Sequence, residues 1–97
     1  MHCIRIEDVE KAYCSCKQEN PTTEFIHFKD LYLMMKKQEF LRLRIKNFKI
    51  YMAEFMQYLD KAKYSFSTGT SIHADNEKYG VIGIDKKLYC YLRIGGD

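Results

Sequence analysis

Cys14 and Cys16 are the one close pair of thiols in the chain. On an extended backbone, residues two apart share a face and could grip a soft metal ion. On a helix they diverge by about 200° and cannot. A structural zinc site needs four such ligands, commonly as two paired motifs. The other two would have to come from Cys3, Cys90, His2, His27 or His73, which show no paired spacing. No metal or cofactor is therefore expected, and the thiols read as ordinary reduced cysteines, with Cys90 in the core. Ser71, His73 and Asp75 have the residue types of an acyl-transfer triad. A triad needs convergence in space and a preorganised oxyanion hole, which closeness in sequence does not supply. A solvated polar loop is the plainer reading. Glycine-rich phosphate loops, His-Glu-x-x-His and Gly-x-Ser-x-Gly are absent. No catalytic residue is assigned, and no enzyme is expected.

Charge and aromatic rings give a different kind of candidate. Lys36, Lys37, Arg42, Arg44, Lys46 and Lys49 form a basic run in which Glu39 is the only acid. On a helix, Arg42, Lys46 and Lys49 would fall on one side, where they could meet phosphates or an acidic partner. Tyr89, Tyr91 and Arg93 alternate along a strand-like segment, and such side chains can stack on bases or anchor a protein interface. The bland alternatives are a solvated helix face and tyrosines packed under a neighbouring element.

These residues need elements to position them. Between 31 and 63 the chain has no Gly, Pro, Val or Thr and is rich in helix formers. Leu41, Ile45, Phe48, Met52, Phe55 and Leu59 step by fours and threes, which predicts an amphipathic helix, long for so small a chain and open to a kink near Asn47. A competing pattern, apolar alternation through 41–45 and 48–52, would make a hairpin. It opposes Arg44 to Lys49 and turns on a poor Lys-Asn pair. Upstream, Ile6, Val9 and Tyr13 suggest a short helix over 6–14, then a loop through Asn20-Pro21 and a short strand over 24–28. Downstream, 79–84 and 88–94 read as a β-hairpin turning at Asp85-Lys86-Lys87. Leu88, Cys90, Leu92 and Ile94 would share one face, and Tyr89, Tyr91 and Arg93 the other. A strand near 64–67 would join the sheet, and 67–78 would be a polar loop. The expected fold is a small single α+β domain: the central helix on a small antiparallel sheet with a C-terminal hairpin.

The composition fits that fold. With 97 residues, 46% hydrophobic and 30% charged, the chain is too apolar for disorder and has room for one modest core. A net charge of +3 tolerates an acidic partner without demanding one. No apolar run reaches the length of a membrane span, and the first residues carry no secretory pattern, so the expected compartment is the cytoplasm. The apolar residues between 40 and 59 spread wider than one core-facing stripe, which points to a partner surface, with homodimerisation the mundane case. The expected function is a non-enzymatic binding protein that modulates or inhibits a protein or ribonucleoprotein partner. A phage-encoded anti-defence inhibitor, such as an anti-CRISPR protein, is one concrete form. A small DNA- or RNA-binding regulator and a zinc-stabilised structural subunit are the alternatives. The residues expected to touch the partner are Arg42, Lys46, Lys49, Tyr89, Tyr91 and Arg93.

Overall fold

The helices form where apolar side chains recur at three- and four-residue steps. In the computed structural model, which describes residues 4–95, α1 spans Ile6–Glu19 and buries Val9, Ala12, Tyr13 and Cys16. The Asp8 carboxylate accepts from the Arg5 N–H at 2.9 Å and so ties the first turn to the residue before it. The helix runs five residues beyond the expected end at Cys14. Strand β1 is only Ile26–His27, and α2, Phe28–Gln38, begins directly after it. His27 makes that junction: its Nδ1 accepts the Lys29 N–H at 3.0 Å and caps α2.

The central helical stretch is two helices, because the break comes at 39–44, upstream of the expected kink at Asn47. Phe40 and Leu43 both turn inward there and are buried. The Tyr32 hydroxyl donates to the Leu43 carbonyl at 2.7 Å and holds the connection against α2. Helix α3, Ile45–Tyr58, then keeps the expected seam, with Phe48 and Met52 fully buried. Leu41, the first residue assigned to that seam, is 75% exposed. The alternative hairpin over 41–52 does not form.

Strand β2 (Tyr64–Thr68) follows, then a short helix α4 (Ala74–Tyr79) within the stretch expected to be loop, then β3 (Val81–Ile82) and β4 (Leu88–Ile94). All pairings are antiparallel, and β4 is their hub. It takes β2 along one side and β1 and β3 on the other. Ile26 and Phe66 both oppose Leu92, while Val81 and Thr68 both oppose Tyr89. The expected hairpin is present, with its first strand shortened to two residues because Tyr79 closes α4 and the Gly80 N–H donates to the Asn76 carbonyl at 2.8 Å.

The core is a contiguous apolar cluster of α1, α2, α3 and one sheet face. Its centre is aromatic. Phe28 meets Phe48 and Phe66 edge-on at 6.1 and 6.3 Å, Tyr32 meets Tyr79 at a tilt at 5.8 Å, and Tyr32 meets Phe48 edge-on at 5.3 Å. Edge-to-face contacts of this kind add about 0.5–1.5 kcal/mol each beyond the area they bury.

Candidate binding groove

Thr68 opposes Tyr89, but Ser67 opposes Tyr91, so Cys90 is an extra residue in β4. Such a bulge interrupts the alternation of side chains. The tyrosine face expected from the sequence is therefore divided. Tyr91 meets the His27 ring edge-on at 4.9 Å, and the Arg93 guanidinium lies 5.9 Å over the Phe25 ring. Tyr89 belongs elsewhere: it lines a groove of about 560 Å³ between the second half of α3, β2 and the β3–β4 turn.

The lining of that groove is mainly apolar. Met56 and Ala53 come from α3, Phe66 from β2, and Ile82 and Ile84 from the hairpin. Ile82 and Ile84 are 61% and 80% exposed, as are Ile50 (50%) and Tyr58 (81%) on α3. Of α3's apolar residues Phe48 and Met52 are fully covered, Ile45, Tyr51, Ala53, Phe55 and Met56 pack partly buried against the core, and Ile50 and Tyr58 stand open. Polar groups stand at the rim. The Tyr89 hydroxyl donates to Asp85 Oδ2 at 2.6 Å, and Asp85 Oδ1 accepts the Lys87 N–H at 3.2 Å. The tyrosine's hydrogen bond holds the Asp85 carboxyl below the usual carboxylate range and pushes the phenol up from its own. Lys61 borders the same groove. Ile82 is shared with an adjoining hollow that Lys49 and Lys86 flank, together with Glu77.

The six residues expected to contact a partner come from three places in the fold. Arg42 is exposed in the 39–44 connection, before α3 begins, so the helix carries only Lys46 and Lys49 of the expected stripe. Lys49 and Tyr89 face the two adjoining hollows, and Tyr91 and Arg93 stand with His27 and Phe25. Met56 belongs to the apolar surplus of 40–59 that points to a partner surface, whereas Phe66, Ile82 and Ile84 carry no such expectation. The two isoleucines were read as strand residues of a hairpin, and nothing in the local pattern says that no helix covers them.

The other chemistry-bearing residues are dispersed. Cys14 and Cys16 lie on α1, where helical geometry separates them. Cys14 is exposed, while the buried Cys16 thiol donates to the Asp30 carbonyl at 3.6 Å and burial pushes its pKa up to about 11. Cys90 is buried, as expected, but in a separate nest. A Cβ added at Gly69 or Gly80 would stand 2.9 Å from its sulfur, and the sulfur contacts the Asn76 carbonyl at 3.6 Å. Among the described residues, no group of three or more His, Cys, Asp or Glu side chains is placed to hold a metal ion. His2 and Cys3 lie outside the described residues. Of the Ser-His-Asp trio, Asp75 pairs with Lys29 at 3.3 Å, and no hydrogen bond joins it to His73 or Ser71, both exposed. No helix among the described residues is long and apolar enough to cross a membrane. Comparison with protein-family models, with curated proteins and with solved structures finds no match to this chain.

Proposed function

We propose that this chain is a non-enzymatic binding protein that modulates a protein or ribonucleoprotein partner by seating an apolar segment of it in the groove beside α3. The carrying observation is the groove itself, lined by Met56, Phe66 and Tyr89 and edged by the exposed Ile82 and Ile84. Apolar surface left open in this way is costly to a monomer and is characteristic of interaction sites. Met and Tyr in the lining suit an adaptable interface. Lys61 borders the groove and Lys49 and Lys86 flank the adjoining hollow, against Asp85 and Glu77, so the surroundings carry a small positive excess that favours a segment with acidic flanks. A phage-encoded inhibitor of a defence effector is one concrete form of this reading, and it rests on chain size and composition.

The test is a comparative pull-down from the native host, with and without nuclease, using the wild type and two variants. Ile84→Asp places a charge at the groove's edge on a residue with little packing to lose. Arg42→Glu/Lys46→Glu reverses exposed charge outside the groove. A protein partner that survives nuclease and loses roughly tenfold or more in affinity with Ile84→Asp supports the reading; tenfold corresponds to about 1.4 kcal/mol. A partner held equally well by Ile84→Asp overturns the groove as its seat.

A second reading has its own observation. Tyr91, Arg93, His27 and Phe25 put rings and a guanidinium beside one another at the sheet, an arrangement single-stranded nucleic acid can stack on. It predicts binding to free RNA or DNA that weakens steeply as salt rises. A flat salt response would count against it.

A further inference from the structure

We infer that β2 is a dimerisation edge, at which two copies of this chain pair antiparallel about Phe66 and join their sheets into one. The argument begins with the direction of the backbone groups. At one end of β2 the Lys63 carbonyl accepts from the Gly95 N–H at 2.9 Å, and at the other the Gly69 N–H donates to the Leu88 carbonyl at 2.9 Å. Both odd-numbered residues thus face β4. Alternate residues of an antiparallel strand aim their backbone groups at opposite edges. Tyr64, Phe66 and Thr68 therefore aim theirs outward, away from β4.

β2 has β4 as its only partner strand among the described residues. Among the described residues, the Tyr64 N–H is the one outward group engaged, by the Asp60 carbonyl at 2.9 Å. The Phe66 and Thr68 N–H groups and the carbonyls of Tyr64, Phe66 and Thr68 are left over. An unpaired strand edge templates pairing with another strand unless charge, proline or a bulge blunts it. The sequence Tyr-Ser-Phe-Ser-Thr contains no charge and no proline, and the extra residue of the bulge belongs to β4.

The occupant that fits is the same strand from a second copy. Centred on Phe66, the two strands exchange a reciprocal pair of N–H···O=C bonds between the phenylalanines. The Thr68 N–H of each then meets the Tyr64 carbonyl of the other. The single outward group already engaged, the Tyr64 N–H, is dispensable in this arrangement. Ser65 of each copy comes opposite Ser67 of the other, and Lys63 lies toward Gly69, so no like charges meet. This is a two-fold, self-complementary interface of the commonest oligomeric symmetry. It also sets the two apolar grooves side by side, because Phe66 lines each of them.

Velocity sedimentation of the wild type between about 1 and 100 µM, where moderate-affinity dimers dissociate, should show a species of twice the 11.6 kDa chain mass. Ser65→Glu/Ser67→Glu sets glutamate opposite glutamate twice and should return the monomer mass. Ser65→Glu/Ser67→Lys, with the same first substitution, sets glutamate opposite lysine and should keep the dimer. In the wild-type dimer the Phe66 and Thr68 amides should exchange hydrogen slowly, which reads the interface without any substitution. A monomer at every concentration overturns the inference. So does a dimer in which those two amides exchange like exposed ones, or one whose mass the double glutamate leaves unchanged.

Discussion

His27 joins three elements through one imidazole. Its Nδ1 accepts the Lys29 N–H, which places the proton on Nε2, and Nε2 donates to Asn76 Oδ1 at 2.7 Å. The Asn76 amide in turn donates to the Thr70 carbonyl at 3.0 Å. Among the described residues Asn76 is the one buried polar side chain outside the aromatic and sulfur-bearing residues, and this chain of bonds is what permits it. His27→Ala removes the cap of α2, worth about 1 kcal/mol. It also strands a buried amide oxygen, at about 1–3 kcal/mol. The expected loss is about 2–4 kcal/mol in urea unfolding, and Asn76→Ala added to it should cost less than the two changes separately. Additive losses would show that the two residues act apart.

At the scale of elements, the β3–β4 turn holds local strain. Lys86 has φ 65°, the left-handed region that a residue with a Cβ enters at a cost of about 1–2 kcal/mol. Its side chain is exposed at the rim of the adjoining hollow. Lys86→Gly should therefore stabilise the protein, by about 0.5–1 kcal/mol once glycine's greater unfolded-state entropy is subtracted. A lower unfolding midpoint in urea would mean that the lysine stem packs better than its backbone is strained. The same scale shows what the sequence could convey. The apolar spacing of α1 and the alternation of β4 were legible because they are local and periodic. The break at 39–44 was not, since no Gly or Pro marks it, and Phe40 and Leu43 look like a continuing helical stripe. Their burial and the Tyr32 bond to Leu43 are tertiary events. The β4 bulge was equally hidden: Leu88 to Ile94 alternate without fault, and the extra residue exists only relative to β2. The division of Tyr89 from Tyr91 follows from it, which is why Tyr89 leaves the face expected to hold it with Tyr91 and Arg93.

For the whole molecule, the buried thiols report on opening. The raised pKa of Cys16 means that the folded state prefers the neutral thiol. That preference contributes stability that is fully present below the unfolded value near 9 and is lost as pH rises through about 11. The protein should therefore become less stable between those limits, and Cys16→Ala should flatten that part of the profile. Alkylation followed by peptide mapping should label Cys14 at once, and Cys16 and Cys90 only at the rate at which the fold opens. Prompt labelling of Cys16 would place it outside the core. The aromatic cluster of Phe28, Tyr32, Phe48 and Phe66 should set that opening rate, since it joins both central helices to the sheet.

The hub position of β4 carries a consequence in time. β1, β2 and β3 each pair with β4, and β4 comes after all of them in the chain. On a ribosome adding residues from the amino end, α1, α2 and α3 can form as they emerge, whereas no strand has its partner until Leu88 and the residues after it appear. The sheet is then completed in a single late step, with Ile26 waiting for Leu92 across more than half of the chain. Until that moment the nascent chain exposes Phe66, Val81 and the unpaired β2 edge together. It is during synthesis that such a polypeptide most needs a chaperone's shelter.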